Sequence, residues 1–460
     1  MGRWGHAWLW GLCAALTSAC AGPDAPSGLT FQNITQADIN ARRLTPGRLF
    51  SIGEVGFDAL FSCTQGGGAI RDGRCVYDRV NGPEAQSCLE CHNSPISDGA
   101  GTLTSNVFRW PDAATGRYIE RNPPHLFGVG YVELLAREMT ADLQRQRDGA
   151  LAAARVGGHD VTVALATKGL DFGQLRASPD GNAEYLGTAV QADLVVRPFM
   201  AKGLAATIRD QNLGAITGHL GIQPTEVVGA GQDPDQDGFT DEMTVGQVSA
   251  VVAYQALLPL PSYVPVSAHA AAGAQVFVDV GCADCHTPTL RLEQASYFVA
   301  DPAGGGQGMV LDLPQDGMPP RGVRLGVVGP VLVPLFSDLR RHDVGAALAD
   351  YRDVPILAGP LDPQPPLGSP LLATLPSVPA AHFVTSRLWG VGSTAPYLHH
   401  GHAIDLAQAI LAHGGEGAVS RQAYQGLDAS QQLQLLDYLR SLILVRSAGT
   451  TGGTAHEGAS

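Results

Sequence analysis

Cys88-Leu89-Glu90-Cys91-His92 and Cys282-Ala283-Asp284-Cys285-His286 repeat one spacing, Cys-x-x-Cys-His. Two thiols about one turn apart can reach the two vinyl groups of a haem, and the adjacent imidazole then sits under the macrocycle as proximal iron ligand. A zinc half-site would want a further Cys or His pair close by, and neither copy has one. A redox dithiol explains neither the histidine nor the repetition. The spacing predicts two covalently attached c-type haems, on Cys88, Cys91 and His92 and on Cys282, Cys285 and His286.

The chain has 460 residues, 45% of them hydrophobic and 16% charged, with 57 Gly and 31 Pro. That composition is of a loop-rich globular protein, long enough for about two to four domains. A net charge of -14 argues against nucleic acid and anionic lipid as partners. It suits a basic redox partner, and it is equally the charge that keeps many proteins soluble. Residues 1–20 read as an export signal with a short apolar run from Ala7 to Ala19. Leu16-Thr17-Ser18-Ala19-Cys20 resembles the site at which a bacterial lipoprotein is cleaved and Cys20 lipidated, with plain signal cleavage as the alternative. The expected location is the periplasm or cell envelope. Cys63 and Cys75 flank a Gly-rich stretch, and in an oxidising compartment they are expected to form a disulfide.

The duplication extends beyond the haem motifs. Gly56-Phe57-Asp58-Ala59-Leu60-Phe61 echoes Gly273-Ala274-Gln275-Val276-Phe277 before them. Leu126-Phe127-Gly128-Val129-Gly130 matches Leu388-Trp389-Gly390-Val391-Gly392 after them, and Ala215 to Gly221 matches Ala409 to Gly415. Each copy thus delivers a histidine at the end of an apolar stretch, and His219 and His413 are the expected second axial ligands. Arg121 and Arg387 precede the repeated Gly-x-Gly and suit haem propionates by bidentate pairing. Asp233, Asp235 and Asp237, Gly238, then Phe239, Asp241 and Glu242 follow the logic of a calcium loop. Position twelve is Thr244, so Asp241 or Glu242 would substitute for the usual Glu.

Apolar spacing at three and four residues predicts helices near Val132–Asp148, Leu204–Leu220, Val245–Leu258, Leu406–Ala412 and Asp428–Val445. Strand-like runs are few, and Pro360 to Pro370 reads as loop. The expected fold is mainly α: two cytochrome c-like domains, each with one covalent haem, and loop-rich insertions. The first spans 45–260 and carries the insertion Tyr131 to Met200 and the calcium-like loop. The second spans 265–445, and a disordered tail occupies 446–460.

The chain resembles the bacterial di-haem oxidoreductases, relatives of the di-haem cytochrome c peroxidases once called thiol oxidoreductases. The residues that carry this are the two haem motifs, Ser337-Asp338-Leu339-Arg340-Arg341-His342-Asp343-Val344-Gly345 with Leu348-Ala349-Asp350, and Arg387-Leu388-Trp389-Gly390-Val391-Gly392. Leu398-His399-His400-Gly401 and Ala409-Ile410-Leu411-Ala412-His413-Gly414-Gly415-Glu416 complete them. The similarity spans roughly residues 45 to 440. It implies an enzyme in which one haem relays electrons from a small redox protein or cytochrome, while the other reduces a small oxidant such as hydrogen peroxide. In the peroxidases a Met follows the Pro-Tyr-x-His turn as distal ligand; His413 stands at that place here, which should lower the potential of that haem. The resemblance also implies a carboxylate near the first haem, for which Glu133 is the candidate beside His219, and an aromatic bridge, for which Trp110 and Tyr131 are candidates. A non-catalytic bis-histidine electron carrier is the alternative.

Overall fold

Thr45 accepts the Arg48 N–H at 3.2 Å and Pro46 occupies the first helical position, so a helix starts there and runs Pro46–Asp58. Ser267 caps Ala268–Asp279 in the same manner. These two helices lead into the two Cys-x-x-Cys-His turns. Capping boxes Thr244/Gln247 and Asp428/Gln431 start their partners, Val245–Ala256 and Ala429–Ser441. The computed structural model describes residues 28–78, 83–93, 106–112, 115–261, 267–316, 330–356 and 374–444. The export segment with Cys20, the Pro360–Pro370 loop and the tail after Ser447 lie outside the described residues.

The helices cross in pairs, and each crossing is seated on a glycine. A Cβ at Gly53 would stand 2.0 Å from the Ala250 carbonyl oxygen, and one at Gly273 would stand 1.9 Å from that of Gln434. Four residues on, Phe57 packs on Tyr254 with ring centroids 5.1 Å apart, and Phe277 packs on Tyr438 at 5.7 Å. The Gly-x-Gly repeat then closes on the same partner helices. Cβ atoms at Gly130 and Gly392 would each lie 2.2 Å from a carbonyl oxygen, of Ala256 and Arg440 respectively. The duplication is therefore a shared packing scheme, but its register differs from the one the sequence suggested. Gly53, not Gly56, is the counterpart of Gly273, and Phe57 is that of Phe277; Gly56 instead makes room for the Phe31 ring.

The expectation of a mainly α fold is overturned. Among the described residues helix accounts for 37% and strand for 19%, in many small sheets. The insertion after Gly130 explains part of this. It forms the long helix Val129–Gly157 and then an antiparallel sheet of Val161–Thr167, Leu170–Ala177 and Ala183–Leu186. In the first of these strands Leu165 and Thr167 are buried while Ala164 and Ala166 are exposed, the period of two that a half-covered sheet imposes. Lys168 and Gly169 both have positive φ, as a two-residue hairpin requires. Short hairpins elsewhere, including Phe108–Asp112 with Arg117–Arg121 and Arg341–Asp343 with His382–Val384, supply further strand.

Two main cores result. The larger joins Leu49, Phe57, Leu135 and Tyr254 to Leu292, Val299 and Val333, so strands from the C-terminal half pack on the N-terminal helices. The smaller gathers Phe277, Phe336, Leu435 and Leu439 around the second haem motif. Cys63 and Cys75 are joined by a disulfide with Cα atoms 5.8 Å apart. Among the described residues no helix is long and apolar enough to cross a membrane. Because the crossings leave no room for a methyl group, Gly53→Ala and Gly273→Ala should each destabilise the fold by about 1–3 kcal/mol. Gly149→Ala, on an open face of the long helix, should instead raise stability by about 0.5–1 kcal/mol; thermal melts of the three variants check both signs.

Candidate functional site

The first motif begins a short 3-10 turn, Cys88–Glu90, in which the His92 N–H returns to the Cys88 carbonyl at 3.1 Å. His92 Nδ1 donates to the Pro124 carbonyl at 2.9 Å, leaving Nε2 to face outward as a ligand atom. Burial lowers its pKa to about 4, so the ring is neutral, as an iron ligand must be. The second motif repeats this. His286 Nδ1 lies 3.2 Å from the Phe336 carbonyl and 3.1 Å from that of Ser386, and burial again lowers the pKa to about 4.

His413 ends the helix Leu406–Ala412, and its Nδ1 donates to the Ala409 carbonyl at 2.8 Å. Its ring centroid lies 6.4 Å from that of His286. The two imidazoles are near enough to one another that they would together hold one iron. His219 sits in the π turn Ile216–Leu220, close enough to His92 to depress its pKa further. Its Nδ1 pairs with Glu84 Oε2 at 2.7 Å, its ring meets Phe108 edge-on at 4.5 Å, and its carbonyl accepts the Glu84 and Ala85 N–H groups.

Arg387 and Trp389 supply a second test of fit. Arg387 Nε and Trp389 Nε1 are buried donors with no hydrogen-bond partner among the described residues. Burying such donors is costly unless an acceptor meets them, and a haem propionate is an acceptor of the right charge. Trp389 is fully buried and packs against the Gly128 position, and its carbonyl accepts from His125 Nε2 at 2.8 Å. It lies where the two Gly-x-Gly segments approach one another. Trp110 packs by Ile119 and Val354, and Tyr131 lies in the N-terminal core.

Arg121 is placed differently from Arg387. It forms a two-pronged pair with Asp350, at 2.8 and 2.7 Å, and Asp350 also meets the buried Lys202 at 3.2 Å. Burial lowers the Lys202 pKa to about 8 even with Asp350 opposing it. Glu133 is fully buried and accepts from the Ile208 N–H at 2.7 Å and the Tyr297 hydroxyl at 2.9 Å, with Arg137 beside it. Every near partner of that carboxylate is thus a structural one. The carboxylate on the distal side of the first motif is Glu84, which sequence reading passed over although it lies four residues before Cys88.

Asp233, Asp235 and Asp237 converge, with ligand oxygens within 4.8 Å of one another. Asp241 turns to the Gly231 N–H at 2.9 Å and Glu242 to the Gln223 N–H at 2.8 Å, while Thr244 caps the following helix. The loop therefore offers three carboxylates, not the fuller set the spacing suggested. Cys285, Asp338 and His342 form another cluster of ligand-type groups, although Cys285 also belongs to the second haem motif. Asp350→Ala should leave Lys202 with only the Pro379 and Ala380 carbonyls and the Phe383 ring against its charge, costing about 1–3 kcal/mol and lowering the melting temperature accordingly.

Residues 378–442 match the family described as di-haem oxidoreductase, putative peroxidase. No curated protein matches the chain. Among solved structures it is similar to a Kuenenia stuttgartiensis hydrazine synthase pressurised with xenon, at 15% identity, over 95% of this chain and all of that one, with a TM-score of 0.38. It is also similar to a MauG-like protein associated with microbial copper homeostasis, at 15% identity over 95% of both chains, with a TM-score of 0.34. The resemblance to the di-haem oxidoreductases is thus borne out over the matched C-terminal segment.

Proposed function

We propose that this chain is an exported di-haem c-type oxidoreductase that takes electrons from a small redox protein or cytochrome and reduces a small oxidant such as hydrogen peroxide. The overall change consumes two electrons and two protons per peroxide and yields two waters. The observation that carries the reading is the unequal treatment of the two distal histidines. His413 is held by its own helix, 6.4 Å across from His286. His219 sits on a π turn and is gripped at its ring by a carboxylate from another segment. Bound haem supplies electron storage and an iron on which an oxidant can bind.

We assign the relay role to the Cys282, Cys285 and His286 site and the oxidant role to the Cys88, Cys91 and His92 site. We assign the carboxylate role beside His219 to Glu84, rather than Glu133, on the 2.7 Å contact between them. Export agrees with the Cys63–Cys75 disulfide, which an oxidising compartment favours. The rival reading, a bis-histidine electron carrier, draws on the same Glu84–His219 contact, since a firm grip on His219 would keep the first iron closed.

The denatured protein should remain coloured, and its mass should exceed the polypeptide by two haems. His413→Ala should turn the second haem high-spin and impair electron delivery. His219→Ala should open the first and leave peroxide reduction equal or greater. A His219→Ala protein whose haem spectra are unchanged would remove His219 from the ligand set.

Calcium at Asp233, Asp235 and Asp237 is part of the proposal. A chelator should lower the melting temperature of the protein, and Asp235→Ala should abolish that response. Unchanged melting in both cases would leave the loop a solvated turn.

A further inference from the structure

His342 occupies the centre of the short strand Arg341–Asp343, opposite Phe383, and is 9% exposed. Both ring nitrogens meet carboxylates: Nε2 lies 2.8 Å from Asp338 Oδ2 and Nδ1 lies 2.7 Å from Glu416 Oε2. A ring so placed donates twice and is an imidazolium. Burial opposes that charge, but the surrounding acceptors, Asp338 foremost, outweigh it and bring the pKa to about 10.

The two carboxylates lead in different directions. Asp338 is fully buried, takes the Arg340 side chain at 2.8 Å, and donates its own N–H to the Cys285 carbonyl at 3.0 Å. That ties it to the turn bearing His286. Glu416 lies three residues past His413, and its other oxygen accepts the Asp343 N–H at 2.9 Å. Gly414 donates to the Val344 carbonyl at 3.1 Å. Gly415 has positive φ, and a Cβ there would stand 2.3 Å from the Asp343 carbonyl oxygen, so the His413 loop lies flat on the His342 strand. In the first copy Glu84 grips the ring of His219 directly, and the Glu84 and Ala85 N–H groups donate to the His219 carbonyl.

We propose that His342 is a positioning residue for His413: bridging Asp338 and Glu416, it fixes the gap between the Cys285-His286 turn and the His413 loop and so keeps His413 on the iron. The inference rests on the reading of His413 as distal ligand. It makes the closed state of the second site a property of the Ser337–Gly345 segment, which has no other role in the proposed chemistry.

The test uses the haem-loaded protein and cyanide as an outside ligand, followed by electron paramagnetic resonance, in which differently ligated haems give separate signals. Losing a hydrogen bond to a charged group should speed cyanide binding at the second haem by about ten- to a hundredfold. This is expected in both Glu416→Ala and His342→Gln. The double variant should be no faster than the quicker single one, because both changes break one bridge. The first haem should be unaffected, and free imidazole should restore the low-spin signal. Glu416 is half exposed, so Glu416→Ala carries the test if His342→Gln fails to fold. Unchanged cyanide binding in Glu416→Ala, or multiplied effects in the double variant, would overturn the inference. His413→Ala separates the two ideas: if it leaves the second haem low-spin, the ligand reading itself falls.

Discussion

Two helix crossings, each closed to backbone contact at a glycine, set the frame on which everything else is built. Where Gly53 meets Ala250 and Gly273 meets Gln434, no side chain separates the helices. That contact fixes the angle and height at which each leading helix delivers its Cys-x-x-Cys-His turn. Phe57 on Tyr254 and Phe277 on Tyr438 extend the contact toward the haem side, each pair contributing about 0.5–1.5 kcal/mol beyond burial. Gly130 and Gly392 bring the third strand of chain onto the same partner helices. The proximal histidine, the segment beneath it and the closing helix are thereby positioned by two backbone contacts and one aromatic pair, a set present in each copy.

Within that shared frame the two sites are made different by charge. Around His286 and His413 the carboxylates Asp338 and Glu416 face an imidazolium and Arg340, so the local charges nearly cancel. Around His219 the carboxylate faces the distal ring itself. A ligand histidine that donates to a carboxylate is more basic than one that donates to a carbonyl, and carboxylate–histidine pairing is a common means of tuning a bound metal. The two irons would therefore see unequal donors although the residue type is the same.

The haem motifs were legible because their spacing is itself the chemistry, and the disulfide because only two cysteines were left for the folded domains. The repeat was legible as well, but its register slipped by three. Gly53 and Gly56 stand three apart and Phe57 and Phe61 four apart, so two alignments compete until the packing partner is known. Gly-x-x-x-Phe, shared by Gly53 to Phe57 and Gly273 to Phe277, was the signal to follow. The strands were missed because they are short and lie largely in segments outside the repeat, where the alternation in Val161–Thr167 was the main clue. Partners far apart in the chain left no local trace: Asp350 is 229 residues from Arg121, and Glu84 is 135 from His219. Both arginines looked suited to propionates, and only burial shows that Arg387 keeps an unmet donor while Arg121 has its carboxylate.

The insertion after Gly130 gives the asymmetry its structural cause. In the second copy the chain passes from Gly392 to His413 through one turn and one short helix, and the loop it ends in can lie against the strand bearing His342. In the first copy the long helix and the three-stranded sheet intervene before His219 is reached. By then the chain has built Leu165, Phe172 and Leu175 into the larger core that also holds Phe57 and Tyr254. There the His219 loop is bonded through the His219 and Leu220 carbonyls to Glu84, Ala85 and Gly68, and the ring itself is gripped by the Glu84 carboxylate. The His219 ring thus meets a buried carboxylate from another segment, whereas the His413 ring is tied to a carbonyl of its own helix. The same insertion that lengthens the first copy thus goes with a different way of holding the histidine at its end.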